Sequence, residues 1–317
     1  MQGFSRFLAS LFLAACLVWP ACAEKPGKVH GLAMHGAPKY GPGFTHLDYA
    51  NPDARQGGVL NQAALGSFDT LNPFNIKGEP VQGLGMVYER LMARVWDEPF
   101  SLYGLIAHAV ELPADRSAIT FHIDPKARFH DGHSVTASDV AFSLEILKEH
   151  GSPYRRRIYE LVANVVNISP HVIRFEFGPG HDRETAMIMA IMPVLPEHYW
   201  GGADRDFGAT TLKPPLGSGP YRITAVEAGR RIVYQKVPDY WGAELPVRRG
   251  HHNFKRVVYT YFRDQDVARQ AFLAGETGLW RESDPSAWRH MRAEKRRGLV
   301  FKAFDHGRPL PAWFFAF

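Results

Sequence analysis

Phe121-His122-Ile123-Asp124, Phe129-His130-Asp131-Gly132 and Thr136-Ala137-Ser138-Asp139-Val140 follow one another closely, and their reading decides the fold. Ile119, Phe121 and Ile123 alternate with Thr120, His122 and Asp124, the period of two of a half-buried strand. Asp131-Gly132 suits a tight turn, because glycine accepts positive φ without a Cβ clash. Thr136 is a good helix N-cap, and Asp139 three residues on resembles the acidic partner of a capping box. Val140, Leu144 and Leu147 then recur at helical spacing until Gly151 and Pro153 end the run. The local order is strand, turn, capped helix.

Working outward, residues 172–177 and 257–262 repeat the strand pattern. A second helix begins near Asp264, with Val267, Ala271 and Phe272 as its apolar face and Gly275 as its stop. Strands and helices mixed in this way point to an α/β fold. Residues 24–55 are rich in Gly, Pro, Asn and Asp and read as an irregular arm; Gly57-Gly58-Val59-Leu60 opens the ordered part. No internal repeat or low-complexity tract is visible. The chain has 317 residues, 45% hydrophobic and 22% charged, which fits a globular protein of about two domains.

The N-terminus reads as a secretion signal. Arg6 precedes an apolar run from Phe7 to Trp19, too short to span a bilayer, and Ala21-Cys22-Ala23 offers a small-x-small cleavage site. Leu13-Ala14-Ala15-Cys16 has the form of a lipoprotein box, a rival that would place a lipid on Cys16. Cleavage after Ala23 fits better, because the rival would leave Leu17, Val18 and Trp19 at the mature N-terminus. Cys16 and Cys22 are the two cysteines of the sequence, so a chain cut after Ala23 has no disulfide, thiolate chemistry or cysteine-held metal. The net charge of +5 is spread along the chain. Arg155-Arg156-Arg157 and Lys295-Arg296-Arg297 lack the interleaved aromatics that a nucleic-acid surface would want, so they read as solvated surface and no nucleic-acid partner is expected.

His130-Asp131-Gly132-His133 invites a metal hypothesis, but a zinc site needs three or four ligands from separate elements. The sequence offers no obvious remainder, and the tight turn is preferred; His251-His252, between Gly250 and Asn253, reads as loop. Met187, Met189 and Met192 sit in an apolar run and read as core. There is no Gly-x-Ser-x-Gly nucleophile elbow, and Gly217-Ser218-Gly219 lacks the lysine of a phosphate loop. No catalytic residue, metal or cofactor is therefore expected.

Four segments, in order, resemble the extracellular solute-binding proteins of the peptide and nickel type, family 5. They are residues 57–60 through Phe68-Asp69-Thr70-Leu71-Asn72-Pro73; the strand, turn and capped helix above; Gly217-Ser218-Gly219-Pro220-Tyr221 with Pro238-Asp239-Tyr240-Trp241-Gly242; and residues 266–275. Residues 48–54 and Tyr261-Phe262-Arg263-Asp264 look like the branch typified by the YejA oligopeptide-binding proteins. The resemblance implies a type II periplasmic binding protein lobe, a mixed sheet with flanking helices, plus an inserted α+β subdomain. The expected division is signal peptide 1–23, arm 24–55, lobe I from 56–80 and 200–308, inserted subdomain 81–199, and 309–317 as the start of a second lobe.

The same resemblance implies capture of oligopeptides for an ABC importer, a permease partner in the membrane, a periplasmic location and a monomer. An extended peptide can be held by main-chain hydrogen bonds. Gly66, Gly217 and Gly219 would allow close backbone approach, and Phe68, Tyr88 and Tyr221 would supply contact area. The expected ligand-binding residues are Phe68, Asp69, Asn72, Tyr88, Gly219 and Tyr221, with Trp241 assigned to the core. Since family members are nearly twice as long and close two lobes around the ligand, this chain is expected to bind peptides poorly, if at all, and a two-lobed version to bind them well. A secreted hydrolase with paired carboxylates, or a nickel or haem carrier of the same family, are the alternative readings.

Overall fold

The computed structural model describes residues 27–202, 205–282, 284–293, 300 and 302. The readings made for residues 1–23, for Lys295-Arg296-Arg297 and for residues 309–317 lie outside them. In chain order the strands are β1 (Gly31–Ala33), β2 (Val59–Leu65), β3 (Met92–Arg94), β4 (Ser101–Gly104), β5 (Ala107–Glu111), β6 (Ala118–Ile123), β7 (Val162–Ser169), β8 (Val172–Phe177), β9 (Tyr221–Glu227), β10 (Arg231–Lys236) and β11 (Arg256–Phe262). The helices are α1 (Ala137–His150), α2 (Pro153–Tyr159), α3 (Thr185–Ala190), α4 (Glu197–Trp200), α5 (Gln265–Leu273) and α6 (Pro285–Ala293).

These strands form three sheets. One is mixed, in the order β2-β11-β10-β9, with β2 parallel to β11 from Val59 opposite Arg256 to Leu65 opposite Phe262. That pairing joins two stretches separated by most of the chain. The second, β5-β6-β8-β7, is antiparallel throughout and is built from the intervening stretch. The third, β1-β4-β3, draws β1 from the segment read as an irregular arm. Tyr40 and Leu47 of that segment are buried with Tyr103, Leu105 and Val247 in a small core of their own.

One larger core unites the mixed and antiparallel sheets: Phe121, Leu144, Phe175, Met189, Tyr221, Ile232 and Tyr234 all belong to it. Each such side chain contributes about 1.5–3 kcal/mol when fully removed from water. The helix α1 forms as the pattern expects. Thr136 and Asp139 close a capping box, and Val140, Leu144 and Leu147 are fully buried. Met189 and Met192 are fully buried too, as core methionines should be.

Two details differ from the pattern. β6 is not half-buried, for Thr120 and His122 are buried along with Ile119 and Phe121. It lies between β5 and β8, and the ring of His122 is held by Glu111 across the sheet at 2.7 Å. On α5 the buried side chains are Ala268 and Ala271, whereas Val267 is exposed. The helix begins at the Asp264 cap as expected, but it is turned so that alanines meet its neighbours. Among the described residues, no helix is long and apolar enough to cross a membrane.

Candidate functional site

Two cavities adjoin around the segment Gly85–Arg90. The smaller, about 420 Å³, is lined by Phe74, Tyr88, Arg155, Tyr159 and Ile188 among others; the larger, about 680 Å³, by Tyr88, Glu89, Trp96, Phe100, Arg248, His251 and His252 among others. Gly85, Tyr88 and Arg90 line both. Sites for small ligands commonly have this size and this mixture of aromatic surface with a few polar groups.

The polar groups divide sharply. Glu89 is 1% exposed and fully engaged: Arg248 Nε donates to its Oε1 at 3.0 Å, Arg248 Nη2 donates to Oε2, and the Tyr240 hydroxyl donates at 2.5 Å. Burial disfavours the Arg248 charge, but Glu89 and Tyr240 more than offset this and raise its pKa. By contrast, Tyr88 Oη, Arg155 Nη1, His251 Nε2 and His252 Nε2 are buried without a hydrogen-bond partner, and all four residues line the cavities. A buried polar atom left in this way costs about 1–3 kcal/mol. His171, Trp200 and Thr277 also hold such an atom but lie outside both linings.

His252 is unusual in three ways. Its φ is +55°, a region that non-glycine residues seldom occupy. Its Nε2 is unpartnered. Burial, followed by the positive charge of Arg248, pushes its pKa down to about 3, so the ring is neutral at ordinary pH. The Tyr88 phenol is likewise held neutral, well above its ordinary pKa, by burial and by Tyr199. Neutral imidazole and phenol can each donate or accept, which suits the main-chain amides of a ligand.

Of the six residues expected from sequence, Tyr88 reaches the cavity wall. Tyr221 and Asn72 stand one layer behind it. The Tyr221 ring meets the His252 ring edge-on at 5.9 Å, and its hydroxyl donates to the Phe254 carbonyl at 2.7 Å. Asn72 Oδ1 accepts from the Phe74 N–H at 3.0 Å while its Nδ2 donates to the Phe207 carbonyl at 2.7 Å, which fixes Phe74 against Tyr88 at 5.0 Å. Phe68 packs on Tyr261, and Asp69 accepts from the Glu79 N–H, both away from the cavities. Gly219 does permit close backbone approach, but the partner is the chain itself: its N–H donates to the Val87 carbonyl at 2.8 Å. A Cβ on Gly217 or Gly219 would overlap the backbone of Met86 and Val87. Trp241 donates to the Ser218 carbonyl at 2.9 Å and packs on the core, as expected.

Sequence reasoning missed His251, His252, Arg155 and Phe74 as lining residues. It also missed a partner for the turn at Asp131. That turn forms, with Gly132 at φ +91°, but His198 of α4 comes to it from 67 positions away and places Nε2 2.7 Å from Asp131 Oδ2.

The profile of Bacterial extracellular solute-binding proteins, family 5 Middle, matches residues 101–316. The chain belongs to this family. The peptidoglycan-binding protein YepA of Agrobacterium fabrum is 38% identical over 293 residues, which are 90% of this chain and 47% of that protein. A YejA of the same bacterium, named a probable peptide-binding protein, is 38% identical over 311 residues, 96% of this chain and 49% of that one. Among solved structures, the oligopeptide-binding protein AppA from Bacillus subtilis, in complex with a nonapeptide, superposes with a TM-score of 0.61 at 20% identity. That match covers 76% of this chain and 46% of AppA, and it shows the fold to be part of a type II periplasmic binding protein. The chain spans about half the length of the curated relatives it matches. Family 5 proteins are extracellular or periplasmic, and the family and the names of these relatives are those of binding proteins rather than enzymes.

Proposed function

We propose that this chain forms one wall of a solute site in the substrate-binding component of an ABC importer, and that the solute is an oligopeptide. The observation that carries this reading is the set of unpartnered groups on Tyr88, Arg155, His251 and His252 around two adjoining cavities. A peptide offers amide and carboxyl groups that such donors and acceptors can pair with, and the exposed Trp96 and Phe100 offer apolar surface to its side chains. Glu89 lines the larger cavity and is paired with Arg248. That carboxylate is committed to Arg248 and Tyr240, an engagement that suits a structural role more than acid–base work. On this reading residues 1–23 are removed on export, the protein works as a periplasmic monomer, and a membrane permease receives the loaded form.

Saturation-transfer NMR on the 317-residue chain with a tripeptide to pentapeptide pool tests the proposal, since that method detects weak contact. Transfer to peptide protons is expected. Gly85 lines both cavities, and a Cβ there would meet nothing within 4 Å. Gly85→Phe should therefore block the site without disturbing the core and abolish the transfer. Absence of transfer to the unmodified chain, or unchanged transfer in Gly85→Phe, would overturn the assignment.

A further inference from the structure

We propose that Asp131, His133 and His198 form a binding site for a divalent transition-metal ion of the zinc or nickel class, tying the turn before α1 to α4. The site is separate from the cavities around Tyr88, and its test does not depend on peptide binding.

The three candidate ligand atoms lie within 4.8 Å of one another. Asp131 Oδ2 is 2.7 Å from His198 Nε2 and 3.0 Å from His133 Nδ1. The two imidazoles stack with centroids 4.2 Å apart and planes at 28°. Ligands around a tetrahedral ion with bonds of about 2.0–2.2 Å stand roughly 3.3 Å apart. An opening of a few tenths of an ångström would therefore admit the ion, and rotation of exposed side chains can supply it. One carboxylate oxygen facing two imidazole nitrogens is a donor set for borderline ions; calcium and magnesium favour all-oxygen shells. Solvent would complete the shell, because all three side chains are exposed.

The backbones that carry these ligands are fixed from two separate elements. On the turn, Asp131 Oδ1 accepts from the His133 N–H at 3.1 Å, and the Phe129 N–H donates to the His133 carbonyl at 2.9 Å. The His130 N–H donates to the Gly217 carbonyl at 2.8 Å, and His130 Nε2 lies 2.8 Å from the Gly219 carbonyl. On the other side, the Glu197 N–H that begins α4 donates to Asp139 Oδ1 at 3.0 Å, while Asp139 Oδ2 completes the α1 capping box. The Phe129 ring stands edge-on to His198 at 5.7 Å. A site held on fixed backbone loses less in ordering when it binds. The ion would add a cross-link between segments 67 positions apart, next to the Gly217–Gly219 strip that packs on Val87.

Zinc chloride titrated calorimetrically into the tag-free chain without residues 1–23, and so without Cys16 and Cys22, is the direct test, with cobalt(II) as the spectroscopic probe. One ion per chain with a micromolar dissociation constant is expected. His133→Ala and His198→Gln should each weaken binding at least about tenfold, and the double variant should lose the stoichiometric site. His35→Ala, at an exposed histidine elsewhere, should change nothing. Zinc should also raise the thermal midpoint of the unmodified chain and not that of the double variant. Metal-free melts compare the folds of the variants. Should a variant fail to fold, cobalt-shifted ring-proton resonances from two histidines in the unmodified chain report the same ligand set. Stoichiometric zinc binding that survives in the folded double variant, or no binding tighter than about 100 μM in the unmodified chain, would overturn the proposal.

Discussion

Tyr88 and Glu89 are neighbours in sequence, nearly alike in burial at 5% and 1% exposed, and opposite in circumstance. Glu89 lines the larger cavity too, but it is fully engaged: Arg248 grips both carboxylate oxygens, Tyr240 donates to one, and the Glu89 N–H donates to Ser218 Oγ at 3.3 Å. The Tyr88 hydroxyl has no partner. A buried polar group that the chain satisfies contributes to structure, whereas one left open to a cavity costs stability and persists where something else engages it. The two side chains thus separate what this protein uses to fold from what it offers to a solute, and opposite mutational signs should follow.

The largest effect should come from the satisfied side. Glu89→Ala leaves the Arg248 guanidinium in a site that disfavours its charge, and removing one member of a buried pair costs about 3–5 kcal/mol. Urea unfolding would show this as a lower midpoint with little change in slope. A loss below about 1 kcal/mol would break the comparison, since Glu89 would then be no more structural than Tyr88.

Next in size is Gly217→Ala, where a Cβ would overlap the Val87 carbonyl and the Val87 side chain. Overpacking of this kind costs about 1–3 kcal/mol and sometimes more, measurable in the same experiment. Gly217 also shows how far the sequence could be read. The need for glycine at close backbone approach was legible in Gly217-Ser218-Gly219, but the partner that approaches was not. The capping box of α1 and the core run of Val140, Leu144 and Leu147 were legible because they depend on residues three and four apart. The enclosure of Thr120 and His122, the rotation of α5 and the arrival of His198 beside Asp131 were not, because neighbouring strands and distant segments decide them. For the same reason His251 and His252, read as plain loop, line the larger cavity unannounced.

A pH series sharpens the comparison from the wall's side. The folded state holds His252 neutral down to about pH 3, through burial first and then the charge of Arg248, whereas an ordinary histidine takes up its proton near 6.5. Between those values the unfolded chain binds the extra proton, so stability is complete above about pH 6.5 and falls as the pH falls. One such group removes about 2 kcal/mol between pH 7 and pH 5. His251, whose pKa burial also lowers, acts in the same direction. His252→Asn keeps a residue type that tolerates φ near +55°, and its unfolding free energy should fall less steeply over that window. A slope identical to that of the unmodified chain would mean that His252 titrates normally and is not enclosed in the wall.

The smallest effect carries the sharpest sign. Tyr88→Phe removes a hydroxyl that has no partner in the chain and keeps the ring that packs on Phe74 at 5.0 Å. Deleting a satisfied buried hydroxyl would cost about 1 kcal/mol, but deleting an unsatisfied one returns its desolvation penalty. The change should therefore be neutral or stabilising by up to about 1 kcal/mol in urea unfolding, against the several kcal/mol lost one position along in Glu89→Ala. The same substitution should reduce saturation transfer to peptide protons, because the hydroxyl is a group we assign to the solute. The two readouts must move apart for the assignment to stand. Loss of stability with Phe at 88 would reveal a partner for the hydroxyl within the folded chain. Unchanged stability with unchanged peptide contact would leave the ring, and not the hydroxyl, as the part of Tyr88 that faces the solute.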